Sequence, residues 1–274
     1  MNKFLFIRKL CLFLIFGSLY LPTLGQEHIT INYSEAPQGS GYDLYPNAAG
    51  NGIMTPSGFG STIPFVFGAI GGLFPAGYSN KNDLVASAGV GFGSSRRNVG
   101  FVGIVNMIDV SKGRNFSASF KLSRYLGSGT SVSIGGINMF ASKDPKYAND
   151  GFASYYVAVS HASQSLESKT PGFSALTYGL GVGSGIFYIK SRQDSLAGRG
   201  TKGTAVFGNI AYEVLKGINV IAEWSGLNLS CGLGIRPSFK WPALRIAVAD
   251  LTRFSRDKPR LTMGLAYALA FSKN

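Results

Sequence analysis

The chain has 274 residues, of which only 14% are charged, 45% are hydrophobic and 37 are glycine. Soluble domains carry about 25% charged residues, so this composition is too apolar for an ordinary soluble or disordered chain. The glycines follow no Gly-X-Y repeat, which excludes a collagen-like fibre. No run of about 20 apolar residues is present to form a membrane-spanning helix. These exclusions leave a glycine-rich all-β protein.

Residues 1–25 have the pattern of a cleaved secretory signal peptide. Three basic residues precede a short apolar stretch, 10–21, and cleavage is predicted before Gln26. Removing the three basic residues lowers the formal net charge from +13 to +10 and leaves Cys231 as the single cysteine. One cysteine cannot form an internal disulfide. Positive charge on an exported protein favours outer-membrane lipid and lipopolysaccharide as partners, and not nucleic acid.

Residues 26–63 differ in composition from the rest of the chain, because they are rich in Gly, Asn, Pro and Ser. Two interpretations remain open. The segment is a disordered periplasmic tail, or it enters the lumen of a barrel as a plug.

From Pro64 onward, apolar residues alternate with polar or small ones at a period of two, interrupted by turn residues. Most of these segments have about ten residues, the length of a tilted transmembrane strand. We therefore predict an all-β, antiparallel transmembrane β-barrel of about 12 strands over residues 64–274. The predicted strands are 64–74, 82–93, 98–109, 114–126, 130–140, 153–163, 175–190, 204–214, 218–224, 227–236, 243–250 and 260–271.

The predicted strand 175–190 carries a row of glycines at alternate positions. Four glycines in seven residues would destabilise a helix, whereas in a strand they share one face. That face is predicted to point inward. The four glycines are Gly179, Gly181, Gly183 and Gly185.

Two predicted hairpins over 204–235 place polar residues on one shared face. A two-residue turn at Ser225-Gly226 would pair Glu223 with Asn228. The preceding turn would pair Glu223 with Asn209. Directly opposed residues share a face, so the apolar residues face outward and the polar ones inward. The predicted inward row comprises Asn209, Glu213, Asn219, Glu223 and Asn228, with Arg236 and Arg245 nearby. Such a row suits a solute pathway and equally suits a network that fills the barrel.

The last predicted strand, 260–271, alternates large apolar residues with small ones. Its small face is too uncharged to be the wetted exterior of a soluble sandwich, so its large face is predicted to meet lipid. This arrangement, with its C-terminal aromatic Phe271, resembles bacterial outer-membrane β-barrels. Segments 221–226 and 249–252, with the Gly-x-Gly strand between them, are similar to a functionally uncharacterised family of exported barrels in cyanobacteria and related genomes. The resemblance implies the fold and the location, and it implies no catalytic residue.

His161-Ala162-Ser163-Gln164 resembles the His-x-Ser-Asn pattern of outer-membrane phospholipase A and lipid A deacylase. That resemblance implies His161 as base and Ser163 as nucleophile on an apolar, lipid-directed face. Gln164 departs from the pattern, and the strand ends on the periplasmic side. An interfacial histidine with no catalytic role is the competing interpretation. With two histidines and one cysteine after the leader, neither a metal site nor a cofactor is predicted.

The main functional interpretation is an outer-membrane barrel without enzymatic activity, acting as a narrow, porin-like channel, a transport component or a structural envelope protein. The first alternative is a lipid hydrolase or deacylase that uses His161 and Ser163. The second is a scaffold in an envelope complex that uses the cationic loops 141–152 and 190–203. Small solutes and envelope proteins are the further candidate partners.

Overall fold

A computed structural model describes residues 43–271 of the chain, except 48, 77, 79–81, 111–112, 142–151 and 239. The predicted signal peptide, residues 26–42 and most of loop 141–152 lie outside the described residues. The strands are β1 Tyr45–Pro46, β2 Phe65–Phe74, β3 Asp83–Gly93, β4 Gly100–Asp109, β5 Arg114–Gly127, β6 Thr130–Met139, β7 Ser154–Ala162, β8 Phe173–Ser174, β9 Leu176–Gly183, β10 Val206–Leu215, β11 Ile218–Trp224, β12 Leu229–Ile235, β13 Ala243–Ala249 and β14 Arg260–Ala270. A 3₁₀ turn spans Gly185–Phe187, and a short helix α1 spans Arg192–Leu196. Among the described residues, no helix is both long and apolar enough to cross a membrane.

Twelve of these strands form one closed antiparallel barrel, which confirms the predicted fold. Consecutive barrel strands are neighbours all the way round, and β14 pairs with β2 to close the sheet. The remaining two short strands, β1 and β8, form a separate parallel pair. Closure leaves the barrel with no free edge strand.

The outer face of the barrel is apolar and exposed. Along β14, Leu261, Met263, Leu265, Tyr267 and Leu269 are each 40–49% exposed, and the intervening small residues point inward. A continuous apolar belt of this kind would be costly in water and is the lipid-facing surface of a membrane barrel. The protein is an integral β-barrel of the bacterial outer membrane.

The two ends of the barrel differ in the length of their connections. Loops 184–205 and 250–259 emerge at one end, whereas tight turns at 128–129 and 216–217 close hairpins at the other. Bacterial barrels have short periplasmic turns and longer extracellular loops. The long loops therefore lie at the extracellular end, and the tight turns lie at the periplasmic end.

The β11–β12 hairpin differs in register from our prediction. Glu223 lies opposite Ser230, where Asn228 was predicted, and the turn contains four residues, 225–228, where two were predicted. The Ser225 hydroxyl accepts a hydrogen bond from Asn228 N–H, and Ser225 N–H donates to Asn228 O, which closes this wider turn. A shift of two residues keeps each side chain on its face, so the predicted inward and outward sets of the hairpin are retained.

Strand β9 ends at Gly183, seven residues earlier than predicted. Gly185 has a φ of +58° and turns the chain into the 3₁₀ turn, so it does not extend the glycine row. The turn buries Phe187, whose ring stacks on Phe207 of β10 with centroids 4.4 Å apart. Gly181 leaves room for this packing, since a Cβ there would lie 2.2 Å from the Phe207 ring.

Candidate functional site

Residues 43–63, here called the strap, run along the inner face of the barrel. Backbone oxygens of the strap accept hydrogen bonds from inward side chains. Ser131 Oγ donates to Gly58 O at 2.8 Å and Ser133 Oγ to Ser57 O at 3.0 Å. Lys121 Nζ donates to Phe59 O at 2.7 Å. The small polar inner face therefore supplies the hydrogen bonds that the irregular backbone of the strap needs.

Glu223 of β11 is the strongest anchor of the strap. Its carboxylate is 1% exposed and accepts hydrogen bonds from the backbone N–H groups of Ile53, Met54 and Thr55, at 2.5, 2.8 and 3.1 Å. The Thr55 hydroxyl donates to the same carboxylate at 2.8 Å. Gly52 permits this close approach, because a Cβ there would lie 2.7 Å from Glu223 Oε2. Several donors to one carboxylate compensate for its removal from water.

Two asparagines fix the register between the strap and the barrel. Asn47 Nδ2 donates to Asn219 Oδ1 at 3.0 Å, and Asn219 Nδ2 donates back to Asn47 Oδ1 at 2.8 Å. Both side chains are buried. Nearby, Asn209 Nδ2 donates to Thr55 Oγ1 at 3.0 Å. Amide pairs have direction, so these contacts specify one position of the strap in the lumen.

The remaining residues of the predicted inward row do not join the strap site. Glu213 is buried near the periplasmic end, where Lys169 N–H and Gly217 N–H donate to it. Asn228 lies at the extracellular end and donates to Asp250 Oδ1 at 2.7 Å. Arg236 donates through Nε to Trp241 O within a periplasmic connection. Arg245 lies in the lumen, lining two cavities beside the strap.

Sequence reasoning missed Lys121 and the inner serines of β5–β7. The sequence did carry a signal for Lys121. It lies between the apolar residues Phe120 and Leu122, and successive side chains of a strand point to opposite faces, so Lys121 must face inward. Thr55 carried no such signal, since it lies in an irregular segment without periodicity.

At the extracellular end, one buried carboxylate ties three loops together. Asp194 at the start of α1 has a fully buried side chain. It accepts hydrogen bonds from Ser255 Oγ at 2.7 Å and Arg256 N–H at 2.6 Å, and also from the hydroxyls of Ser191 and Tyr78. Burial opposes ionisation of Asp194, but these hydrogen bonds outweigh it and lower the pKa to about 2. These contacts define the Asp194 cluster.

The two candidate catalytic residues lie at the periplasmic end. His161 faces outward from β7, its Nδ1 is 2.9 Å from Thr130 Oγ1, and its ring contacts Tyr178. Ser163 follows the strand, and its Oγ lies 3.1 Å from Ser165 Oγ. Among the described residues, no hydrogen bond joins His161 to Ser163.

Two solved structures have a similar barrel. Outer membrane phospholipase A from Escherichia coli is 8% identical, with a TM-score of 0.37, and the match covers 78% of this chain and 98% of that one. The outer membrane phospholipase (OMPLA) dimer of Salmonella typhi with bound calcium is 10% identical, with a TM-score of 0.38, over 77% and 91% of the two chains. No family profile and no curated protein sequence matches this chain.

The sequence-based expectation that this barrel has no enzymatic activity is wrong, because barrels of this kind include an enzyme. Both similar structures are of outer membrane phospholipase, which is an enzyme. At this level of identity the likeness concerns the fold alone, so no residue role passes to this chain.

Proposed function

We propose that this protein is a gated passage through the outer membrane, in which the strap closes the lumen. The observation that carries the proposal is the set of hydrogen bonds from Ile53, Met54 and Thr55 to Glu223. A single inward carboxylate thereby holds the middle of the strap against the barrel wall.

The chemistry of this attachment supports a strap that can be released. Its contacts include hydrogen bonds with serine, asparagine, glutamate and lysine side chains, which water or a solute can replace one by one. The inner face behind the strap carries serines, including Ser131, Ser133 and Ser160, and apolar residues such as Phe67 and Val102. Withdrawal of the strap would therefore leave a lumen lined by both polar and apolar side chains.

The test combines loosening and locking of the strap. In a Cys231→Ser background, Glu223→Ala should raise arabinose uptake by proteoliposomes above wild type. Adding Thr55→Cys and Asn209→Cys, at side chains whose polar atoms are 3.0 Å apart, should abolish that uptake when oxidised and restore it when reduced. The Thr55→Cys single variant is the control. Equal uptake by the oxidised and reduced proteins would contradict gating by the strap.

A second candidate function is lipid hydrolysis at His161 and Ser163. The contact between Thr130 Oγ1 and Nδ1 supports it, because it orients the imidazole and leaves Nε2 available as a base on the lipid side. Ser163 would have to exchange its contact with Ser165 for one with Nε2. Fatty-acid release from mixed micelles should be lost in Ser163→Ala and retained in Ser165→Ala. Equal release by both variants would overturn this candidate.

We further propose that the cationic loop 190–203 contacts lipopolysaccharide phosphates at the extracellular end. Its basic residues include the exposed Arg192 and Lys202, and positive surfaces attract anionic head groups. We also propose that the chain belongs with the exported barrels that segments 221–226 and 249–252 resemble.

A further inference from the structure

Arg245 of β13 is a half-buried cation on the inner face of the barrel. Its Nε is fully buried and, within the described part of the chain, has no hydrogen-bond partner. The negative charge of Glu223 acts on Arg245 from beyond ion-pair distance, and that carboxylate is already hydrogen-bonded to the strap. Gly234 and Gly264 lie opposite Arg245 on the neighbouring strands. The space above Gly264 is open, whereas the Ala49 carbonyl of the strap lies over Gly234.

The buried Arg260 shows how the same fold satisfies an arginine inside the barrel. Arg260 donates through Nε to Asp250 at 2.5 Å and forms an ion pair with it. An unpaired buried charge is costly, whereas a paired one is tolerated. The buried Nε of Arg245, in contrast, has no protein acceptor among the described residues, and its side chain lines a cavity that an acceptor from outside the protein could enter.

The guanidinium of Arg245 opens onto a cavity of about 480 Å³ between the strap and the barrel wall, and onto a second of about 390 Å³. Both fall in the range of small-molecule sites. The charged residues lining the larger cavity are Arg245 and Lys121, so its charge is wholly positive. Most of the remaining wall is apolar and aromatic, including Phe65, Phe67, Val102, Ile104 and Tyr156.

We infer that this cavity binds a single-chain apolar molecule with an anionic head, of which a fatty acid is the simplest. A carboxylate fits the planar fork of Arg245 in a bidentate pair. Lys121 has three N–H donors, and its described partners are two strap carbonyls. It adds a second positive charge, while the apolar tail lies against the phenylalanines. This inference rests on the proposed passage, for which it names the class of solute.

The test measures binding without transport, using the full-length protein in phosphatidylcholine nanodiscs. Laurate should displace a fluorescent dansylated fatty acid, and dodecanol at the same concentration should not. Arg245→Gln should weaken laurate binding at least tenfold. Arg245→Lys should keep a preference for laurate over dodecanol, and Arg97→Gln, in an exposed turn, should bind as wild type does. Unchanged laurate binding by Arg245→Gln, or equal displacement by dodecanol, would overturn the site.

A measurement on the wild-type protein keeps the inference testable if Arg245→Gln does not fold. A photoreactive laurate should label peptides of β2, β4 and the strap, whose side chains line the cavity. Labels confined to outward residues would overturn the site. Laurate binding without strap-dependent uptake would overturn the passage and leave the site standing. Strap-dependent uptake of arabinose without laurate binding would overturn the site alone.

Discussion

Single polar side chains determine how the lumen is filled. Glu223, Asn219 and Asn209 are inward residues of two adjacent strands, and each bonds a strap residue more than 150 positions earlier in the chain. Buried polar groups need such partners, because leaving one unsatisfied costs about 1–3 kcal/mol. The strap and these three inward side chains therefore form one hydrogen-bond network.

Glu223→Gln should destabilise the protein without unfolding it. The amide has one acceptor oxygen where the carboxylate has two, and its NH₂ group would face backbone donors. We expect the free energy of unfolding to fall by about 1–3 kcal/mol, measured as a lower temperature for the heat-induced gel shift. Glu167→Gln, in an exposed loop, is the matched control. A transition at the wild-type temperature would show that the carboxylate does not hold the strap.

At the scale of the strand, β12 shows how strictly the barrel separates lipid from lumen. Leu233 and Cys231 are exposed on the outer face, whereas Ser230 faces inward and is fully buried. Period-two alternation therefore changes the surroundings of each successive side chain completely.

Cysteine labelling along β12 should alternate. In a Cys231→Ser background, cysteines at Leu229 and Leu233 should react with a lipid-phase maleimide. A cysteine at Ser230 should react with neither that reagent nor a water-soluble one, because Ser230 is fully buried inside the barrel. The native Cys231 serves as the lipid-facing reference. Reaction of Ser230→Cys with the water-soluble reagent would show that the lumen at this level is open to water.

The alternation of residue types was enough to predict all twelve barrel strands and the faces of the β10–β12 hairpins. It could not predict the length of the 225–228 turn. The backbone of Asn228 closes that turn, but its side chain bonds residues of the 250–259 loop, which lies outside the hairpin. The contacts of the strap were equally inaccessible, because Ile53 meets Glu223 across 170 residues of chain with no local pattern to mark the pair.

For the whole molecule, the Asp194 cluster joins loop 184–205 to two other loops at the extracellular end. Tyr78 comes from the loop after β2, and Ser255 comes from the loop before β14. The pKa of Tyr78 is raised by burial and by its contact with Asp194, so its hydroxyl remains a donor at neutral pH. Three loops at this end of the barrel thus share one anion.

The Asp194 cluster should loosen in acid. The pKa of Asp194 is lowered from 3.8 to about 2. Its stabilising effect is therefore complete above about pH 4 and is lost as the pH falls through about 2. Hydrogen exchange of residues 190–200 should accelerate over that interval.

At neutral pH, Asp194→Asn should make loop 184–205 sensitive to trypsin after Arg199 or Lys202. Asp43→Asn, at the periplasmic end, should leave cleavage as in wild type. Resistance of the Asp194→Asn loop to trypsin would show that other contacts hold it.

The place of the strap in the chain favours one order of assembly. The strap immediately precedes β2, and β2 completes the barrel by pairing with β14, the last strand. A strap that is laid against the growing sheet before β2 and β14 pair meets Glu223 and Asn219 on an open surface. A chain that closed first would have to bring the strap into the lumen through one end of the barrel. In this order of assembly, with the strap laid down first, the barrel strands fold around a segment that is synthesised before them, and the growing sheet determines the conformation of that segment.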